Sequence, residues 1–191
     1  MTTRTYLLSP TCAVAVSVGD ITRWAGDAVV NAANERMLGG SGVDGAIHKA
    51  AGPQLYEACE QVPQVRRSVR CPVGEARITP AFRLPATHVI HTVGPVYRPN
   101  SNAPALLRSA YLSALALAHE HHCATVAFPA ISCGVYHYPL SAAATIALEA
   151  CVEFTAANPN RLQLIEFVMF TTQTHAAWTA AAAELHLTEI H

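Results

Sequence analysis

Short apolar runs alternate with longer alanine- and leucine-rich stretches along the chain. "CAVAVSV" (12–18) has the period-2 pattern of a half-buried strand, and "DAVVNAA" (27–33) reads as a strand buried over part of its length. "EARITPAF" (75–82), "HVIHTVG" (88–94), "ATVAFPAI" (124–131) and "LQLIEFVMF" (162–170) complete the predicted strands. The segment from Val43 to about Cys59 reads as a helix interrupted at Gly52-Pro53, because proline cannot continue the hydrogen-bond ladder. Further helices are predicted over 103–121, with Leu106, Ala110 and Leu117 on one stripe, over 141–157, and over the closing "THAAWTAAAAELHL" (174–187). Strands separated by helices of this length imply an α/β fold with a largely parallel sheet covered on both faces. No repeat, low-complexity tract or Pro/Ser-rich linker divides the chain, so one domain over 1–191 is expected.

The N-terminal "RTYLLSPTCAVAVSVGD" superficially resembles a secretory leader, but Ser9-Pro10-Thr11 interrupts its apolar run, so it is read as structure. No stretch is expected to reach the roughly 18 apolar residues of a membrane span. With 51% apolar and 13% charged residues, the 191-residue chain is too apolar for a disordered one. A net charge of −1 supplies no general field for nucleic acid or an anionic membrane, so an anionic ligand has to be held locally. The six cysteines are scattered and form no CxxC pair, which suits reduced thiols and a cytoplasmic location.

Ligands of parallel α/β sheets collect where strands run into loops at their carboxyl ends. Two such loops stand out: "LGGSGVDGAIHKAAG" (38–52) and "PAISCGVYHYP" (129–139). Each precedes a predicted helix, whose free amides and dipole favour an anion, so the pair could cradle a diphosphate with few basic residues. Gly40, Gly42 and Gly45 are expected to keep side chains off the phosphate, with Gly134 doing so from the other side. Gly40 to Gly45 also match the dinucleotide fingerprint GxGxxG, but "NAANERML" separates the strand from the first glycine and the acid lies inside the motif, so an NAD-dependent dehydrogenase is disfavoured.

"GDIT" (19–22), "DAVVNAAN" (27–34), "GGSGVDGAIHKAAGP" (39–53), "CPVGEARIT" (71–79), "HVIHTVGPVY" (88–97) and "VAFPAISCGVYHYP" (126–139) together resemble the macrodomain family. More narrowly they resemble its bacterial O-acetyl-ADP-ribose deacetylases and mono-ADP-ribosyl hydrolases, in order from about Cys12 to Trp178. The resemblance implies a three-layer α/β/α domain with a mixed, largely parallel central sheet that binds ADP-ribose across the two loops. It implies that Asp20 accepts the adenine amino group, Ile21 packs beside the base and Phe170 stacks on it. Asn34 would hold the distal ribose, with Gly42, Val43 and Asp44 along that ribose and its phosphate. Ser132, Cys133, Gly134, Val135 and Tyr136 would supply backbone donors to the diphosphate, Tyr136 also closing over the distal ribose. Implied partners are ADP-ribose, O-acetyl-ADP-ribose and mono-ADP-ribosylated proteins, with no cofactor. Three positions depart from the family pattern: Ser41 for glycine, Cys133 for threonine and His137 for glycine.

Hydrolysis of an ester on the distal ribose needs an activated water. Asp44, the carboxylate of the glycine loop, can orient or deprotonate it, while Asn34 offers donor and acceptor to a ribose hydroxyl. The scheme needs no metal, and Asp44, Asn34 and Tyr136 are its catalytic candidates; a non-catalytic ADP-ribose reader is the alternative. Structural roles compete at each position: a helix-start acid for Asp44, turn residues for Asn34 and Asp20, a core aromatic for Phe170. His119 and Cys123 of "HEHHC" share a predicted helix face that could carry a metal, and Cys133 with His137 could form a nucleophile pair; both are weaker readings.

Overall fold

Strand alternation sorts the core into two layers. In this computed structural model, which describes residues 3–190, the strands are β1 (Arg4–Ser9), β2 (Cys12–Val18), β3 (Ala28–Ala32), β4 (Ala76–Pro80), β5 (His88–Thr92), β6 (Thr125–Phe128), β7 (Leu164–Met169) and β8 (Thr188–Ile190). The helices are α1 (Gly42–Ala51), α2 (Pro53–Gln61), α3 (Ala103–Glu120), α4 (Leu140–Ala157) and α5 (Thr172–Glu184), with a 3₁₀ turn at Ile21–Arg23. On β3 and β6, Ala28, Val30, Val126 and Phe128 enter the core shared with α3, α4 and α5, whereas Val29 and Ala127 enter the core shared with α1 and α2. Opposite pointing of successive residues therefore builds the three-layer α/β/α arrangement.

All eight strands join one mixed sheet in the order β4-β5-β3-β6-β7-β2-β1-β8. The five central strands, β5 to β2, pair in parallel, while β4 at one edge and β1 and β8 at the other are antiparallel. Helix breaking at Gly52-Pro53 is as expected: Gly52 has φ +85° and Pro53 starts α2, where its missing N–H costs nothing. Strands β1 and β8 were not legible as separate elements. β1 pairs across a two-residue turn with β2, and β8 is three exposed residues whose pairing with β1 is wholly tertiary. The buried stripe of α3 runs through Leu107, Ala110, Tyr111, Ala114 and Ala118; Leu106 and Leu117 only flank it. Contrary to expectation, α4 is long and apolar enough to cross a membrane by length and composition, with a mean hydropathy of 1.4. Its alanines bury a wide face, from Ala143 to Cys151, against α3, α5 and the sheet.

At the amino end of the sheet, Asp27 ties β3 to β6. Its Oδ2 accepts from the amides of Ala124 (2.8 Å) and Thr125 (2.9 Å) and from the Thr125 hydroxyl (3.0 Å). Burial pushes this carboxyl up, but the three bonds outweigh it and the net pKa lies below the ordinary aspartate value. Asp27→Ala should therefore lower unfolding free energy by about 1–2 kcal/mol in urea titrations at neutral pH. Because the folded pKa is depressed, that contribution is present above the unfolded pKa and is lost as pH falls through the folded one. The gap from wild type should close in acid.

Candidate functional site

Five parallel strands end on the same edge, and the loops leaving them meet above it. β5 leads to Gly94, β3 to the 34–44 loop, β6 to the 129–139 loop, β7 to Phe170 and β2 to Asp20. A cavity of about 200 Å³ lined by Asn34, Gly40, Asp44, Ser132 and Tyr136 lies over β3 and β6. A second, of about 380 Å³, lined by Asp20, Ile21, Cys133, Val168 and Phe170, lies over β7 and β2. Gly42, Val43, Ala130 and Gly134 line both, so the two form one elongated cleft.

The first loop is folded by Asn34. Its Oδ1 accepts from the amides of Arg36 (3.1 Å) and Met37 (3.2 Å), and its Nδ2 donates to the Gly39 carbonyl (3.0 Å). Asn34 is therefore a turn residue that also lines the cleft. Its acceptor is already engaged, and one Nδ2 hydrogen remains for a ligand. Ser41, the N-cap of α1, makes no side-chain cap bond, so the first amides of α1 keep their donors. Among the glycines expected to clear room for a phosphate, Gly42 and Gly134 face open space, and Gly42 has φ +62°. A Cβ on Gly45 would lie 2.6 Å from the Gly40 carbonyl oxygen; Gly45 instead lets the loop close on the helix. A Cβ on Gly40 would come within 3.0 Å of Asp44 Oδ2 and 3.3 Å of Asn34 Nδ2, so Gly40 makes room for those two side chains.

In the second loop Ser132 takes φ +65°, an uncommon conformation for a non-glycine residue, and its buried hydroxyl has no protein partner. Tyr138 N–H donates to the Ser132 carbonyl (3.0 Å) and Tyr97 N–H to the Tyr136 carbonyl (2.9 Å), which hold the loop at both ends. Cys133 N–H is consumed by the Ala130 carbonyl (3.2 Å), which removes it from the expected donors. The amides of Ser132, Gly134, Val135 and Tyr136 have no acceptor among the described residues. Gly94 makes this packing possible, because a Cβ there would sit 2.2 Å from Ser132 Oγ.

Asp44 is recessed, with 4% of its surface exposed. Its Oδ1 accepts from Asn31 Nδ2 (2.7 Å) and lies 3.5 Å from His48 Nε2, whereas Oδ2 has no partner. Burial raises its pKa above the ordinary value, against the opposing pull of the Asn31 bond and of His48. The Tyr136 phenol is also pushed up, first by burial and then by the charges of Glu35 and Asp44. Sequence reasoning missed Asn31 and His48. The available signals were a polar residue inside a buried strand and an imidazole one helical turn after Asp44.

At the other end, Asp20 caps the 3₁₀ turn through Oδ1, which accepts from Thr22 N (3.0 Å) and Thr22 Oγ1 (2.7 Å). These bonds hold its pKa below the usual range. Turn role and cleft lining thus coexist in one side chain. Phe170 is 88% exposed, so it is not a core aromatic. The Cys133 thiol is pushed up to about 12 by burial, donates to the Ile131 carbonyl and lines the Phe170 end rather than the cavity of Asp44, while His137 is exposed. That arrangement lacks a thiolate. The "HEHHC" metal face also fails: α3 ends at Glu120, His122 has φ +57° and Cys123 lies beyond the helix. As for the dinucleotide fingerprint, Gly40 stands eight residues past the end of β3 and α1 begins inside the motif at Gly42, so the strand does not run into the glycines.

Residues 30–147 match the family model described as Macro domain. A Macro domain-containing protein of Lactiplantibacillus plantarum is 50% identical over 168 residues, covering 87% of this chain and 94% of that protein. An O-acetyl-ADP-ribose deacetylase of Citrobacter rodentium is 51% identical over 158 residues, covering 81% and 88%. The Oceanobacillus iheyensis macrodomain with ADP superimposes with a TM-score of 0.90 at 36% identity, covering 97% of each chain. The Trypanosoma brucei macrodomain in complex with ADP-ribose gives 0.79 at 38% identity, covering 88% of this chain and 68% of that one. With its three-layer fold, its two-loop cleft and these relatives, this chain belongs to the macrodomain family.

Proposed function

We propose that the cleft binds ADP-ribose and that the protein hydrolyses ester-linked groups, O-acetyl or a protein carboxylate, from the distal ribose. The observation that carries this is a desolvated carboxylate at one end of a cleft walled by unsatisfied amides, with an exposed aromatic ring at the other. The adenine lies against Phe170 and Ile21 with its amino group toward Asp20, and the diphosphate between the α1 amides and those of Ser132, Gly134, Val135 and Tyr136. The distal ribose then reaches Asn34, Asp44 and Tyr136.

At that end Asp44 orients a water or takes its proton as the oxygen adds to the ester carbonyl. Collapse of the tetrahedral intermediate breaks the acyl–oxygen bond, and the ribose oxygen leaves with a proton. The raised pKa brings Asp44 closer to the operating pH, where a base is most effective. A non-catalytic reader is the competing outcome, because most of the bonding capacity of Asn34 serves the turn. Relatives with the O-acetyl-ADP-ribose deacetylase name support the hydrolase. Six free cysteines, five of them buried, support a reducing, cytoplasmic setting.

Asp44→Asn should keep ADP-ribose affinity within about threefold by calorimetry while turnover of O-acetyl-ADP-ribose falls by about a hundredfold or more. Undiminished turnover would overturn the role of Asp44, and a wild type that binds but releases no acetate would be a reader. The same variant should melt higher than wild type at alkaline pH. A raised folded pKa means that the group's stabilising contribution is present below the unfolded pKa and lost as pH rises through the folded one. The advantage of Asp44→Asn should thus shrink on acidification, as differential scanning fluorimetry across pH would show. Phe170→Ala should weaken ADP-ribose by about 1–2 kcal/mol, yet barely change affinity for ribose 5-phosphate, which has no base to stack.

A further inference from the structure

Behind Asp44 the core contains polar side chains that packing alone would not select. Asn31 on β3 and His91 on β5 are register partners in the parallel pair, and both are completely buried. Asn31 Nδ2 lies 2.7 Å from Asp44 Oδ1 and 3.2 Å from His91 Nδ1. His91 Nε2 lies 3.0 Å from Thr79 Oγ1 on β4 and 3.7 Å from Cys59 Sγ on α2.

The chemistry of the amide orders these contacts. An amide nitrogen has two hydrogens and no free lone pair, so Asn31 donates to both neighbours. The reversed amide would set its oxygen against the Asp44 carboxylate. His91 Nδ1 is then an acceptor, its proton resides on Nε2, and that proton goes to Thr79. Burial, with His48 nearby, depresses the His91 pKa to about 3, consistent with a neutral ring.

We propose that His91 is a positioning residue: anchored through Nε2 by Thr79, its imidazole holds the Asn31 amide, which fixes Asp44 Oδ1 and leaves Oδ2 on the side of Gly40. Without the Nδ1 acceptor the Asn31 amide is free to turn, and the carboxylate loses both its aim and a bond that favours its ionised form. The catalytic consequence rests on the hydrolase reading; the effect on Asp44 itself does not. The groups facing Asp44 are His48 on its own helix, Asn31 on β3 with His91 behind it, Cys59 on α2 and Tyr136 from the loop after β6.

The test follows the Asp44 carboxyl carbon by NMR through a pH titration in wild type, His91→Leu and His91→Asn. The Leu variant removes the acceptor, whereas the Asn variant places a carbonyl oxygen near the position of Nδ1. Asp44 should titrate at higher pH in His91→Leu and close to wild type in His91→Asn. In parallel, kcat on O-acetyl-ADP-ribose should fall roughly tenfold in the Leu variant and recover in the Asn variant, with KM within about twofold. The wild-type ring should remain an Nε2–H tautomer in ¹⁵N spectra from about pH 5 to pH 9. Thr79→Val gives a smaller shift in the same direction and serves if His91→Leu does not fold.

An unmoved Asp44 titration in His91→Leu, an equal shift in both His91 variants, or a proton on Nδ1 would overturn the proposal. The ligand atoms of His48, Cys59 and His91 lie within 4.8 Å of one another. If stripping wild type with a chelator reproduced the Leu phenotype, the cluster would be a metal site and the positioning role would fall. If the titrations behaved as expected but wild type released no acetate, the hydrolase would fail and the role of His91 in setting Asp44 would stand.

Discussion

Everything at the site depends on five neighbouring strands pointing the same way. Parallel strands need crossovers, and each crossover leaves the sheet at its carboxyl edge. The order β5-β3-β6-β7-β2 therefore lays out five loops side by side. That order is also the order of features along the cleft, from Gly94 and Asn34 through Ser132 to Phe170 and Asp20. The antiparallel strands at either edge widen the sheet without adding to this row. Asp27 clamps β3 to β6 at the opposite end of the two strands that carry the 34–44 and 129–139 loops.

Within that frame the cleft binds by omission. Ser41 begins a helix without capping it, and four amides of the second loop have no partner, so donors that a structural turn would satisfy are left for an anion. Gly134 and Val135 are exposed, so their amides face solvent and are accessible to a diphosphate in the cleft. The same logic applies at Asp44, where desolvation raises the pKa while one Asn31 bond and the nearby His48 limit the rise. A carboxylate wholly paired in the core would be a structural group. One that keeps a single oxygen unpartnered beside Gly40 has capacity left for chemistry.

The two loops, the central strands and the break between α1 and α2 were legible in the sequence because each depends on local rules: period-2 alternation, glycine's access to positive φ and proline's missing N–H. Asp44, Asn34 and Asp20 stood out by their place in the matched loop motifs, although each also suits a turn or a helix start, and in the structure Asn34 and Asp20 do serve turns. Phe170 could equally have been core, since aromatic residues suit buried strands; it lies one residue past the end of β7 and is exposed.

What the sequence determined by itself was the alternation of elements, the positions of the two loops that wall the cleft and the presence of one carboxylate in the first of them. What only the tertiary structure decided was pairing and proximity. β8 becomes a strand only because β1 offers it a free edge. Gly45 serves packing rather than ligand approach because Gly40 folds back over it. Asn31 and His91, 60 positions apart in the chain, meet behind Asp44 because β3 and β5 align in register, and Asn31 alone of the two bonds the carboxylate. Such contacts have no local signal: they follow from which strands pair, and that is settled by burial summed over the whole core.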